Sequence, residues 1–366
     1  MVNDFSRQLE KTHRSLSNRF KGKLAEAWQC TVSVALANTF PMEPKDMAAD
    51  ATKASPPGPT LRRHPAVSIV VPCFNGGRFL DALMTSLGHQ TFRDFEIIIV
   101  DDGSTDEETP RKLASLRDRV RVIHQDNRGP SAARNTGARA ASGNALFMLD
   151  CDDTIESDFL AETVPLLQSA PADVGMVFTH LRLMGAENGL VSRYFNRFDL
   201  LFTNTVSSGL ILRKDAWRAV GGYDESMRDG YEDWDFSLRL ASAGFRGIEV
   251  SKPLYIYHIG DDSRASRSSR IDKKRLYGTL WRQIREKHAE SYRPLAMLRL
   301  WNQSRQGHTQ GHAKVRLWKG FAAYTLALLL PDALFSQLIA RLHRKNRADA
   351  SVLAFSGAAS EPRLVP

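Results

Sequence analysis

The stretch Ala145–Asp153 reads ALFMLDCDD: five apolar residues that run into three carboxylates around one cysteine. A short apolar run bounded by polar residues has the pattern of a fully buried strand. If the chain stays extended past Leu149, side chains alternate, so Asp150 and Asp152 face one way and Cys151 the other. Two carboxylates held close together repel unless a cation or a proton relieves them. Two readings fit the stretch by itself. One is a divalent-cation site at a strand end, and the other is a solvated turn with an Asp helix cap.

Its surroundings narrow the choice. Upstream, VSIVVP (67–72) reads as a buried strand, CFNGGRF follows as a loop, and Leu80–Leu87 has helical spacing. FEIIIV (95–100) is a second strand and runs into Asp101-Asp102-Gly103-Ser104. Pro110–Leu116 reads as a helix, VRVIH (120–124) as a third strand, and the Ala- and Arg-rich Ser131–Ala141 as a helix. ALFML is then the fourth strand. Strands alternating with helices imply an α/β fold with a parallel sheet covered on both faces. Such sheets bind ligands beyond the carboxyl ends of their strands. Three of those ends carry distinctive polar residues: Pro72–Asn75, Asp101–Ser104 and Asp150–Asp153. The recurrence favours the ligand-binding reading of the opening stretch.

The loops contain neither a GxxxxGK[ST] phosphate cradle nor a GxGxxG fingerprint, which disfavours P-loop kinases and nicotinamide dehydrogenases. Carboxylates pair poorly with phosphate. They suit ribose hydroxyls, the N–H of a base, or a metal that bridges to phosphate. Asp102 suits a base edge, Asp150 a ribose or a metal, and Asp152 a metal. The implied ligand is a nucleoside diphosphate bound through a divalent ion.

The ordered series VSIVVPCFNGGRFL, FEIIIVDDGSTD, NRGPSAARNTGARAASG, LFMLDCDD, VGGYDE and YEDWDFSLRL resembles the family 2 glycosyltransferases of the GT-A fold. The resemblance covers roughly residues 67–258. It implies a mostly parallel central sheet flanked by helices, an inverting mechanism and Mg²⁺ or Mn²⁺ as cofactor. It implies a nucleotide-sugar donor, UDP-linked, and an acceptor hydroxyl on a glycan, a lipid-linked glycan or a polysaccharide. By the same resemblance Pro72, Phe74 and Asn75 line the nucleotide pocket and Asp102 holds the base, with Asp101 structural at the strand end. Arg134, of the Arg134-Asn135 pair, contacts the diphosphate or pairs with an acidic loop; Asp101 and Asp102 are the partners expected for a structural salt bridge. The DxD element is Asp150-Cys151-Asp152. Asp150 and Asp152 ligate the metal, Asp150 also contacts the donor, and Asp153 assists the metal shell or stabilises the turn. Cys151 reads as a spacer on the opposite face.

Downstream, Val174–Leu183 reads as a strand, Glu187–Asn204 as polar and variable, and Ser207–Arg213 as a strand before helix Lys214–Val220. In Gly221–Glu225 the paired glycines permit a tight turn or close approach of a ligand, and Tyr223 reads as core. Trp234, Leu238, Ala241 and Phe245 form a core-facing helical stripe that leaves Glu232 and Asp233 at the helix start. The resemblance makes Asp233 the catalytic base; the alternative is that both acids merely cap the helix. A helix N-terminus favours a carboxylate's charged form, so burial or nearby acids must restore its basicity. His258, at the end of the strand Lys252–His258, is a further metal ligand, a pyrophosphate contact or a structural residue.

The chain carries a net charge of +9. Residues 264–350 hold nineteen Lys and Arg against five Asp and Glu, a net of +14 that leaves −5 elsewhere. This basic region favours an anionic partner, and peripheral contact with a membrane surface is expected through it. Phe321–Ala340 is about membrane length, but Pro331-Asp332 interrupts it. The region lacks the aromatic–basic interleaving of a nucleic-acid module, so no nucleic-acid partner is expected. Three dispersed cysteines and a polar N-terminus point to a reducing, cytoplasmic setting.

The expected organisation is an N-terminal extension and linker (1–65), a GT-A catalytic domain (66–260), a basic helical region (261–350) and a disordered tail (351–366). The competing functions are a nucleotide-sugar-binding protein without turnover and a metal-dependent nucleotidyltransferase.

Overall fold

A computed structural model of the chain describes residues 64–207, 209–259, 273–306 and 362–365. The expectations for the N-terminal extension, the loop after His258, the Phe321–Ala340 stretch and most of the tail lie outside these residues.

The elements follow one another as β1 (Val67–Cys73), α1 (Leu80–Gly88), β2 (Phe95–Asp102), α2 (Glu108–Leu116), β3 (Arg121–Gln125), α3 (Pro130–Ala140), β4 (Ala145–Met148) and β5 (Thr154–Ile155). Then come α4 (Phe159–Ser169), β6 (Val174–Gly185), β7 (Gly189–Val191), β8 (Leu210–Arg213), α5 (Lys214–Ala219), α6 (Glu232–Ser242) and β9 (Arg246–Ile259). α7 (Lys273–Lys287), α8 (Pro294–Gln306) and β10 (Arg363–Val365) complete the described chain.

The strands form one sheet in the order β10-β9-β6-β8-β4-β1-β2-β3. β3, β2, β1 and β4 are parallel, as expected, and so are β6 and β9. β8 runs antiparallel to both β4 and β6. The strand-and-helix alternation does not reveal that β4 returns to the free side of β1. That reversal of winding opens a crevice at the carboxyl ends of β1 and β4, where an α/β sheet receives its ligand.

Period-two alternation divides the core. Val67, Ile69 and Val71 of β1 pack with Phe147 of β4 and with α1 and α4 on one face. Val70 packs with Leu146, Met148, Phe178, α3 and α6 on the other. Both faces are apolar, which is why these strands read as continuous hydrophobic runs. α3 reaches the sheet through Ala132, Ala133, Gly137 and Ala138. A Cβ at Gly137 would lie 2.2 Å from Val70 Cγ1, so glycine is what allows the helix so close to β1.

Three expectations need correction. Residues 187–204 are not simply polar: Phe195, Phe198, Leu200 and Leu201 are buried in the core. α6 is not one-sided, because Glu232, Asp235 and Ser237 are buried along with Trp234 and Leu238. Residues 363–365, within the expected disordered tail, form β10 and pair antiparallel with β9.

The C-terminal helical region joins the same core. Trp281 and Ile284 of α7 are fully buried in the cluster that contains α6. Asp235, with no exposed surface, receives Arg239 at 2.8 Å, Lys287 Nζ at 2.8 Å and His288 Nε2 at 2.8 Å. No helix among the described residues is long and apolar enough to cross a membrane.

Candidate active site

The loops after β1 and β2 are tied together by Asn75. Its backbone is left-handed, with φ 50°, a conformation Asn tolerates better than most residues. Its N–H donates to Ser104 Oγ at 2.9 Å, and its Oδ1 accepts from the Thr105 and Asp106 N–H groups at 2.8 and 3.2 Å. Phe74 beside it is 47% exposed, an unusual position for a large apolar ring.

The two carboxylates that end β2 do different things. Asp101 accepts from Ser104 N–H and lies 3.0 Å from His124 Nδ1, which fits a structural role. Asp102 is buried and accepts from Gln125 Nε2 at 2.7 Å and from the Arg128 and Gly129 N–H groups at 2.9 and 2.8 Å. It thereby fixes the approach to α3. A base edge would have to use the carboxylate valence that these three donors leave.

Arg134, on α3, is 6% exposed and bridges two distant segments. Nη2 donates to Asp150 Oδ1 at 2.6 Å and Nη1 to Glu232 Oε1 at 2.8 Å. Burial works against its charge, but Asp150 and Glu232 outweigh burial and hold the guanidinium firmly protonated. The ring of Tyr223, a core residue as expected, lies 5.4 Å from the guanidinium carbon. Arg134 pairs with an acidic loop, one of its two expected roles, but through Asp150 of the DxD loop and the acid at the start of α6; the alternative salt bridge to Asp101 or Asp102 is not found.

Asn135, the next residue, is structural. Its amide bonds Tyr223 N–H and Tyr223 C=O at 2.8 Å each. This holds the turn in which Gly221 and Gly222 have φ of 76° and 73°. A Cβ on Gly222 would lie 2.6 Å from Asn135 Oδ1.

In the DxD turn, Asp153 N–H donates to Asp150 C=O at 3.1 Å. Asp153 is 1% exposed and accepts from Tyr255 Oη at 2.7 Å and His258 N–H at 2.9 Å. Burial, and then the charges of Asp152 and Asp150, push its carboxyl well above the usual range. Asp153 therefore ties the turn to β9, the turn-stabilising role of its two readings. Asp150 and Asp152 are partly exposed. Among the described residues no three His, Cys, Asp or Glu side chains gather around a common cation position, so His258 does not form a cluster with the two aspartates. His258 Nδ1 is buried without a hydrogen-bond partner, and burial lowers the pKa of the ring. Cys151 does not face empty space. Its strongest neighbour is the Cys73 thiol, which together with burial and the flanking aspartates keeps it protonated.

Asp233 lies in the first turn of α6, after Tyr231 in the left-handed region with φ 63°. A large non-glycine residue there marks local strain. Asp233 Oδ2 accepts from Asn204 Nδ2 at 2.9 Å and Oδ1 from Trp234 N–H at 2.8 Å. Burial and then Glu232 raise its pKa to about 6, against the lowering effect of Arg134 and the two hydrogen bonds. The compensation required of a carboxylate at a helix N-terminus is therefore present. Asp233 and Arg134 line one small cavity with Met148, Ser207, Gly209 and Tyr223.

Two neighbours of Asp233 carried no sequence signal. Asn204 holds it, and Asn204 Oδ1 is itself buried without a hydrogen-bond partner. Arg193 is a buried cation whose charge couples to Tyr255 and Asp233; burial lowers its pKa to about 10. Both belong to a segment without a motif, and only its packing brings them to α6.

Residues 68–216 match the family described as Glycosyl transferase family 2. Chondroitin synthase of Escherichia coli is 31% identical over 194 residues, which cover 50% of this chain and 28% of that protein. Pre-mycofactocin glycosyltransferase of Mycobacterium tuberculosis is 30% identical over 263 residues, 68% of this chain and 53% of that protein. The putative glycosyltransferase EpsH of Bacillus subtilis is 37% identical over 216 residues, 53% and 61% of the two chains. The chain thus spans between about a quarter and three fifths of these relatives. Among solved structures, S. aureus TarS 1-349 in complex with UDP-GlcNAc superposes with a TM-score of 0.52 at 17% identity, covering 76% of this chain and 92% of that one. The architecture is a GT-A-like α/β fold. The similarity to glycosyl transferase family 2 lies in residues 68–216, the part that holds β1 to the start of α5.

Proposed function

We propose that this chain is an inverting, metal-dependent glycosyltransferase. It moves a sugar from a nucleotide-sugar donor, UDP-linked, to a hydroxyl of a glycan, lipid-linked or polysaccharide acceptor. The observation that carries the reading is the Arg134 bridge. One buried guanidinium joins Asp150, at the strand end, to Glu232, the neighbour of Asp233. Donor-side carboxylate and candidate base are thereby held at a fixed separation. The UDP-GlcNAc bound by the TarS structure and the names of the relatives support the donor class.

Asp150 and Asp152 offer the hard oxygen donors that Mg²⁺ or Mn²⁺ prefers, and such ions take their remaining ligands from phosphate and water. When bound, the ion offsets charge that builds on the leaving diphosphate. Asp233 removes the acceptor hydroxyl proton as that oxygen attacks the anomeric carbon from the face opposite the diphosphate. Asn204 orients the Asp233 carboxylate. Pro72, Phe74 and Asn75 line the nucleotide pocket beside Asp102, with Phe74 presenting its exposed ring. His258 closes the far side of the DxD turn, held through its backbone by Asp153. Cytoplasmic location and peripheral membrane contact through the basic C-terminal region complete the reading.

The test is release of nucleoside diphosphate from a panel of nucleotide sugars, with and without Mn²⁺. Release should require the metal and vanish in Asp152→Asn. Turnover indifferent to both EDTA and that substitution would sink the metal assignment.

A further inference from the structure

Cys73 and Cys151 are 78 positions apart in the chain, yet the sheet brings them together. β1 and β4 pair in parallel with a constant offset, from Val67↔Ala145 to Val70↔Met148. Leu149 N–H continues the ladder to Val70 C=O at 3.0 Å. β4 ends at Met148 and the chain then turns, which leaves Cys151 beside the end of β1 that carries Cys73. Adjacent strands lie about 4.8 Å apart, inside the ~4.4–6.8 Å range of Cα separation that a disulfide bridges. Both cysteines are free thiols. The gap between them is left by Gly76: a Cβ there would lie 2.7 Å from Cys151 Sγ and 3.1 Å from Cys73 Sγ. Those two distances put the sulfurs within about 6 Å of each other, close enough for a small rotation to join them.

We propose that Cys73 and Cys151 form an oxidisable pair whose disulfide clamps the Asp150–Asp152 turn onto the end of β1. The oxidant is a small-molecule disulfide of the glutathione class. Cys151 is partly exposed and Cys73 is 1% exposed, so the reagent meets Cys151 first. The small fraction of Cys151 that is deprotonated attacks one sulfur of the oxidant, forms a mixed disulfide and releases one glutathione thiolate. The Cys73 thiolate then attacks the Cys151 sulfur and releases the second. The pair loses two electrons, one glutathione disulfide becomes two glutathione thiols, and the two protein thiol protons leave with them. Asp150 and Asp152 flank Cys151 and move with it as the turn is drawn toward β1. On the reading of those residues as the metal site, the reduced pair is the competent state.

The full chain is incubated with glutathione disulfide at mildly alkaline pH, the remaining thiols are alkylated, and tryptic peptides are mapped by mass spectrometry. A Cys73–Cys151 linked peptide is expected, lost in Cys73→Ser and restored to two free peptides by dithiothreitol. Gly76→Ala tests the geometry without removing a thiol. Gly76 has φ −110°, which alanine accepts, and the added methyl would crowd both sulfurs, at 2.7 and 3.1 Å. The yield of linked peptide should drop by about fivefold or more in the variant that still unfolds cooperatively. Only glutathione adducts, or links to Cys30, would overturn the proposal, as would an undiminished yield in a folded Gly76→Ala. Mn²⁺ binding, followed by electron paramagnetic resonance, should weaken on oxidation and recover on reduction; equal binding in the two states would overturn the clamp. If the reduced chain binds no Mn²⁺ at all, the metal reading fails while the peptide map still decides the disulfide.

Discussion

The carboxylates at the ends of β2 and β4 and the carboxylate that opens α6 are all candidate chemistry, but the protein treats them differently. Asp102 is saturated by the protein, and Asp153 is fastened by it. Asp102 receives three donors from residues 125–129, and Asp153 receives Tyr255 and His258 of β9. Asp233 receives only one side-chain amide and its own neighbour's N–H, next to a second acid. A carboxylate filled with internal donors is a fastener. One that is buried and left with few donors keeps its proton affinity for a reaction. Motif membership does not distinguish the two; donor count separates Asp102, with three donors, from Asp233, with two, and Asp153 differs from Asp233 in being tied by both of its donors to one strand, β9.

The sharpest way to break this comparison is Asp233→Asn. Transfer should fall by about 10³-fold with donor affinity retained, in single-turnover assays, since the base is lost while the pocket is not. The same substitution should stabilise the fold. Asp233 titrates near 6 when folded and near 3.8 when unfolded, so the folded chain loses stability as pH rises through that window. At neutral pH a neutral isostere recovers up to about 3 kcal/mol, read as a higher midpoint in urea unfolding. A fully active variant would place the base elsewhere.

Asp102→Ala should show the opposite pattern. It strands three donors, two of them backbone, and should cost about 2–4 kcal/mol in stability. A loss below 1 kcal/mol with donor binding abolished would instead make Asp102 primarily a ligand contact.

Asn204→Ala removes the hydrogen bond that lowers the pKa of Asp233. The rate should fall about tenfold, and the acid limb of the profile, centred near pH 6 in the parent, should move to higher pH. A residue that only packs would lower activity without moving the limb. The smallest effect is expected from Asn75→Ala, which loses the side-chain tether to Thr105 and Asp106 at a position with φ 50°. About 1 kcal/mol in thermal unfolding and a modest rise in donor KM should result.

The parallel half of the sheet was legible because its signals are local. A buried strand announces itself as an apolar run, and residues 67–72, 95–100 and 145–149 do so within single windows. The start of α6 was legible for the same reason. What failed was local patterning where burial comes from distant partners. Phe195, Phe198, Leu200 and Leu201 lie between polar residues with no clean period, and only packing against α6 and its neighbours makes them core. No local pattern marks Glu232 and Asp235 as buried; inside the protein Arg134 pairs with the first, and Arg239, Lys287 and His288 hold the second.

By itself the sequence determined that strands alternate with helices, that carboxylates gather at strand ends, and that Asp233 opens a helix. Those are matters of local period and residue chemistry. Only the tertiary structure decided that β4 lies beside β1, that Arg134 spans to Asp150 and Glu232, that Asp153 is a strut, and that Cys73 meets Cys151. The reason is that hydrogen-bond valence and close contact are filled by whichever groups the chain path brings near. That path depends on strand order, and strand order leaves no mark on any single window of sequence.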